Sequence, residues 1–193
     1  IGGPEKLKSF LKICARHHPV NLGDARHGGI NRPSSNLNPL THWRRKNEGS
    51  IERVIAGLDE TTTASAVFDN LKSLRDCLSE VKSADLGLSV NVAALADDVN
   101  QCSQEAGIQR QAVEYSFGFI GNRAKLPAAD TLELSTMCGH GMIANTFAQK
   151  MIDWVKTGRK TPKECAGYMS RFCVCGIFNA IRAERLLNRS ANR

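Results

Sequence analysis

The sequence lacks several features that would assign it to a common class of protein. No apolar run approaches the roughly 18 residues that a membrane-spanning helix needs, and no basic segment followed by an apolar one marks a signal peptide at the start. It contains no dinucleotide fingerprint, phosphate-binding loop, nucleophile elbow or His-Glu-x-x-His motif. We therefore expect neither a membrane protein nor an enzyme built on one of these motifs.

Cysteine is the residue type that the chain has in excess. Seven cysteines among 193 residues is a high count, and an odd number argues against a framework in which every cysteine is paired. A hydrophobic fraction of 41% is enough for a core that needs no disulfides. We therefore predict a reducing, cytoplasmic location, with the cysteines divided between core positions and ligand positions.

The net charge of +7 is unevenly spread along the chain. Residues 1–49 carry nine Lys/Arg against three Asp/Glu, residues 50–158 carry nine against fourteen, and residues 159–193 carry eight against two. Basic ends can dock an acidic protein surface or nucleic acid, or they can neutralise the acidic middle within one molecule or between copies. We expect a protein partner or a homo-oligomer through the basic N-terminal segment, with nucleic acid the less favoured partner and no membrane.

Turn-forming residues divide the chain near residue 49. A short helix is predicted over residues 1–16, but Pro19, Pro33, Pro39 and the Gly28-Gly29 pair then disfavour regular structure. We predict a basic, loop-rich, extended N-terminal arm over residues 1–49. A globular domain with a Cys-rich, helical C-terminal segment is predicted over residues 50–193.

Alternating apolar residues predict a small sheet in the globular domain. Residues 86–93, 113–119 and 131–137 alternate in the manner of strands. A helix predicted over residues 95–106 would join the first two strands as a parallel, right-handed βαβ crossover.

Helical spacing and capping signals predict the other elements. Ser50 can cap a short helix to about residue 58, and a longer helix follows Thr63. Thr161 and Glu164 make a capping box around Pro162. The C-terminal helices are predicted over residues 142–156, 161–172 and 179–187. The predicted fold class is therefore mixed α and β, with three short strands and a helical C-terminal third; a mainly α fold is the alternative.

Two short cysteine-containing segments carry the chemistry that we predict. Cys138 and His140 belong to a Met-Cys-Gly-His-Gly segment, and Cys173 and Cys175 belong to Cys-Val-Cys-Gly. In a turn that ends in glycine, two thiolates at positions i and i+2 can converge on one metal, and backbone N–H groups can bond the sulfurs. We predict Cys138, Cys173 and Cys175 as the core metal ligands. Cys138 should lie at the start of helix 142–156, where the helix dipole favours its thiolate form.

The candidates for the fourth ligand are His140, Cys165 and Cys102, and a centre without a fourth protein ligand is a further alternative. Imidazole suits zinc and some iron–sulfur centres, whereas Cys102 lies in an apolar stripe and is better explained as a core residue. A [4Fe–4S] cluster held by three cysteines would leave one iron open, which would make the site a Lewis acid. We favour iron–sulfur over zinc, because the Cys-x-Cys turn lies between helices and not in a small knuckle.

The leading hypothesis is a cytoplasmic iron–sulfur protein, either a redox subunit or a small oxidoreductase or lyase that acts with a partner. The alternative is a zinc-stabilised nucleic-acid-binding protein that uses its basic ends, including the segment from His42 to Lys46. A redox-active dithiol and a set of buried free cysteines also remain open, since free cysteine is among the most buried residue types.

Overall fold

The computed structural model describes residues 3–24, 26, 28–30, 49–59, 63–115, 118 and 120–192. Along the described residues the first elements are α1 (Gly3–Arg16), β1 (Asn21–Asp24), β2 (Gly28–Gly29), α2 (Ile51–Ala56), β3 (Ala64–Val67), α3 (Leu71–Ala84) and α4 (Ala96–Glu105). After a short 3-10 turn at Arg123–Lys125, the chain continues with α5 (Ala129–Ser135), α6 (Asn145–Lys156), α7 (Pro162–Ser170) and α8 (Ala180–Ala191).

The fold is a mixture of α and β structure with a helical C-terminal third, as the sequence predicts. The sheet has the order β2-β1-β3, and both pairs of strands are antiparallel. The predicted parallel crossover is therefore wrong, because the strands come from residues 21–24, 28–29 and 64–67 and not from the segments that alternate most clearly. No described helix is both long and apolar enough to cross a membrane.

The three predicted strands fail for identifiable reasons. Residues 86–93 form no strand, and Gly87 turns the backbone out of the extended region with a φ of +62°. In the segment 113–119 the described residues form no strand, and Val113 and Tyr115 are exposed. Residues 131–137 contain most of α5, because the buried Thr131 and Leu134 also fit helical spacing. Period-two alternation needs a neighbouring strand to be satisfied, and none of these segments has one among the described residues.

The predicted helices are confirmed with shifted ends. Ser50 and Asn70 accept N–H bonds at the starts of α2 and α3, and Thr161 and Glu164 form the predicted capping box of α7. The helix predicted after Thr63 begins later, because residues 64–67 pair with β1 as β3. Helices α1, α4, α6 and α8 cover most of their predicted ranges.

Two groups of elements carry the core. The C-terminal helices α5 to α8 enclose the largest cluster of buried apolar residues, which includes Leu134, Met151, Met169, Phe178 and Leu187. The sheet packs with α1 and α2 around Leu11, Leu22 and Leu58. Residues 3–24 and 28–30 thus take part in this packing, whereas the loop prediction for residues 31–48 lies outside the described residues. The boundary predicted at residue 49 stays a prediction.

Gly176 joins the two groups of elements through a backbone contact. It has a φ of +78°, and a Cβ atom placed on it would lie 3.0 Å from the carbonyl carbon of Leu22 in β1 and 3.1 Å from the nitrogen of Gly23. Only a residue without a side chain fits this position without displacing β1. The turn after Cys175 is therefore held against the middle of the sheet.

We expect Gly176→Ala to destabilise the protein more than Gly158→Ala. Both glycines have a positive φ, but a Cβ at Gly158 would meet no atom within 4 Å, so both variants lose about 1 kcal/mol to backbone strain. Gly176→Ala should lose a further ~1–3 kcal/mol through overpacking against β1. Urea unfolding of the two variants measures the difference, and equal losses would contradict the contact.

Candidate functional site

The candidate site lies where two turns of the C-terminal helical group meet. Residues 136–144 connect α5 to α6 and carry Cys138 and His140, and residues 171–179 connect α7 to α8 and carry Cys173 and Cys175. The three cysteines are buried, with 1%, 1% and 6% of their surfaces exposed. Because residues 129–135 form α5, Cys138 follows a helix and not the strand predicted over residues 131–137.

Contacts with the sheet and its flanks fix the second turn. The Ser65 hydroxyl donates to the carbonyl of Cys175 at 2.9 Å, and the Asn21 amide donates to the carbonyl of Phe178 at 3.4 Å. Asn179 caps α8 and also donates to the carbonyl of Phe68 at 3.2 Å. The N-terminal half of the chain therefore holds the Cys-x-Cys turn in place.

The three thiols lie in one buried cluster and influence one another's ionisation. Cys173 raises the pKa of Cys138 and lowers the pKa of Cys175. The Nδ1 atom of His140 lies 3.4 Å from the Sγ atom of Cys175. The structure thus brings together all four residues that the sequence analysis selected, with Cys175 facing His140.

The interactions among the three thiols favour the thiolate form of Cys175. The hydrogen bond from Cys173 and the N–H group of Ile177 lower the pKa of Cys175 to about 7, although burial raises it. The bond with Cys138 lowers the pKa of Cys173, but the bond to Cys175 and burial leave it above its usual value. Cys175 is therefore the thiol most ready to bind a metal or to act as a nucleophile near neutral pH.

The prediction that Cys138 favours its thiolate form is wrong. The interaction with the Cys173 thiol, together with burial, raises the pKa of Cys138 well above its usual range. The N–H groups of Met142 and His140 lower the pKa, as expected for a residue just before a helix, but by less.

A backbone N–H group bonds one sulfur of the site, since Phe178 donates to the sulfur of Cys173 at 3.3 Å. The N–H groups of Ile177 and Met142 also lower the pKa values of Cys175 and Cys138. Backbone N–H groups near sulfur stabilise thiolates and tune the properties of a metal that they bind. The glycine after each cysteine segment predicted turns with free N–H groups, but it did not predict which N–H groups these are.

The other two candidate fourth ligands do not join the site. Cys102 lies in a separate cluster with Leu78 and Ala106, and its sulfur contacts the carbonyl of Leu71 at 3.8 Å. Cys165 is fully buried in α7, and burial raises its pKa to about 11. The charged neighbours that shift its pKa are Glu164 and Lys160 and not the three thiols. His140 is the remaining candidate.

The thiols are arranged for bonding to one another and not around a common point. Within the described parts of the chain, no group of three or more His, Cys, Asp and Glu side chains stands ready to hold a metal ion. A metal would have to replace the protons that the thiols share, and the side chains would have to turn toward it.

Comparison with protein-family models, with curated proteins and with solved structures finds no significant match for this chain. No known protein therefore indicates the chemistry of this site.

We expect a thiolate to form near pH 7 in the metal-free protein and to be absent from Cys175→Ser. Because folding lowers the pKa of Cys175 from 9.0 to about 7, its ionised form stabilises the fold above pH 9, and this contribution is lost as the pH falls to about 7. Thiolate absorbance in the ultraviolet measures the titration, and urea unfolding measures the stability.

Cys165→Ser is the matched control for this titration, because the pKa of Cys165 is raised to about 11 and its loss should leave the step near pH 7 unchanged. A step of equal size in Cys175→Ser would show that another group titrates there.

Proposed function

We propose that the chain is a thiolate metal protein whose Cys138, Cys173 and Cys175 bind one metal centre, with His140 as the fourth donor. The observation that carries this proposal is the 3.4 Å contact between the Cys175 sulfur and Nδ1 of His140, which joins two turns whose cysteines lie in one apolar core. The three cysteines are buried there. Structural metal sites have this combination of donors and a dry surrounding shell.

The spacing of the donors favours a single ion such as zinc. In a tetrahedral site with metal–sulfur bonds of ~2.3 Å and a metal–nitrogen bond of ~2.0 Å, sulfur and nitrogen ligands lie ~3.5 Å apart. The separation of 3.4 Å between Cys175 and His140 is close to this value. Three thiolates and one imidazole form one of the usual ligand sets of structural zinc.

An iron–sulfur cluster, the occupant favoured by the sequence, is the second candidate for the same residues. Each thiolate would then bind a different iron, so the three sulfurs would have to move apart from their present contacts. The N–H bond from Phe178 to the sulfur of Cys173 favours this candidate, because such bonds tune the potential of clusters. The chain would then be a redox subunit or a small oxidoreductase or lyase, and it would act with a protein partner in the cytoplasm.

We expect the protein purified without oxygen to hold about one metal centre per chain and Cys173→Ala to hold none, because Cys173 contacts both other thiols. Cys165→Ala is the matched control. Cys165 is equally buried in the same cluster, but it does not interact with the three proposed ligand thiols. Elemental analysis with an assay for acid-labile sulfide separates zinc from an iron–sulfur cluster.

A metal-free wild type after anaerobic reconstitution with zinc, and with iron and sulfide, would sink the proposal. Equal loss of metal in Cys165→Ala and Cys173→Ala would do the same, because it would show a general effect of damage to the core.

Nucleic-acid binding is a second candidate function, and a specific surface favours it. The Trp154 ring lies under Arg159 at 4.6 Å and Lys150 at 5.5 Å. The neighbouring Tyr168 ring lies under Arg171 at 5.1 Å and Lys160 at 5.8 Å. We call these six residues the cation–aromatic surface. Cations beside aromatic rings can contact phosphates and stack on bases. The predicted N-terminal contribution, His42 to Lys46, lies outside the described residues.

If this surface binds nucleic acid, Arg159→Gln combined with Lys150→Gln should weaken binding to single-stranded oligonucleotides. Both side chains are exposed, and each lost phosphate contact should reduce the salt slope by about 0.7. Lys72→Gln is the matched control, since Lys72 is an exposed cation on α3. Fluorescence anisotropy at several salt concentrations measures the slope, and an unchanged slope in the double variant would remove this candidate.

A further inference from the structure

A second pair of cysteines lies far from the candidate metal site. Cys14 is on α1 and Cys77 is on α3, and their sulfurs are 3.7 Å apart. The two residues are 63 positions apart in sequence and belong to two helices that pack directly against each other. Neither residue contributes to the cluster that contains Cys138, Cys173 and Cys175.

We propose that Cys14 and Cys77 form a reversible disulfide that joins α1 to α3 when the protein meets a small disulfide such as oxidised glutathione. The sulfurs already touch, and closing from 3.7 Å to a bond of ~2.05 Å is within reach of small side-chain rotations and a slight approach of the helices. No other residue lies between the two thiols, since their sulfurs are in direct hydrogen-bond contact at this distance.

The reaction proceeds by two exchange steps. The thiolate of one cysteine attacks a sulfur of the small disulfide, which forms a mixed disulfide and releases one small thiolate. The second cysteine loses its proton and attacks the protein sulfur of the mixed disulfide, which closes the bond between Cys14 and Cys77 and releases a second small thiolate. The two cysteines lose two electrons and two protons in total, and one small disulfide becomes two small thiols.

The surroundings of the pair favour Cys77 as the first nucleophile. Its contact with Cys14 lowers the pKa of Cys77 and raises the pKa of Cys14 well above its usual range. Arg16 adds a favourable positive charge, whereas Glu80 opposes it. The two cysteines are only 1% and 3% exposed, so the attack requires a local opening of α1 from α3, and we expect oxidation to be slow in the folded protein.

An ion-pair cluster lies one helical turn beyond the cysteines and keeps the two helices in register. Glu80 of α3 accepts from Arg16, and its other oxygen lies 2.7 Å from Nε2 of His17 just after α1. Cys14 and His17 are three positions apart, as are Cys77 and Glu80, so each pair of positions shares a helix face. The helices therefore return the two thiols to the same contact after each opening.

The test exposes the purified protein to oxidised glutathione, blocks the remaining thiols and analyses its peptides by mass spectrometry. We expect a peptide that links Cys14 to Cys77 with the loss of two hydrogens, and we expect dithiothreitol to remove it. In Cys14→Ser, Cys77 should instead retain glutathione, because the second cysteine is missing. Cys102→Ser is the matched control, since Cys102 is 3% exposed and should not affect the link.

Three results would overturn the proposal. One is a folded protein in which Cys14 and Cys77 stay blocked as separate thiols while an unfolded sample yields the linked peptide. Another is a link that joins either residue to a different cysteine. The third is a mixed disulfide that persists on Cys77 in the wild type as fully as in Cys14→Ser.

Discussion

The backbone contact between Gly176 and strand β1 is the constraint on which the candidate site depends. It sets the turn that carries Cys173 and Cys175 against the sheet, with the turn carbonyl of Cys175 held by Ser65. Once this turn is fixed, its two sulfurs lie in the same core cluster as Cys138. The sheet thus positions a site to which it contributes no ligand.

The interactions among the three thiols determine which of them ionises first. They lower the pKa of Cys175, whose sulfur lies 3.4 Å from Nδ1 of His140. A metal ion that enters would displace the protons of Cys138 and Cys173, whose pKa values are raised. Metal binding should therefore release protons, and the affinity should increase with pH.

The sequence predicted the helices and the grouping of the site residues better than the sheet. Caps such as Ser50 and Thr161 act through neighbouring backbone groups, so local sequence is enough to predict them. The strands depend on distant partners, and β1 contains the buried polar residues Asn21 and Asp24, which give no strand signal. Residues 86–93 alternate like a strand, but this segment pairs with none of the described strands. The strand prediction for these residues is therefore wrong.

X-ray absorption spectroscopy of the protein after reconstitution with zinc tests the proposed metal centre most directly. We expect a first shell of three sulfurs at ~2.3 Å and one nitrogen at ~2.0 Å around a single zinc ion. His140→Ala should remove the nitrogen and leave the sulfurs. A shell of oxygen and nitrogen alone, or a sulfur shell unchanged in Cys138→Ala, would contradict the claim that these turns share one metal centre.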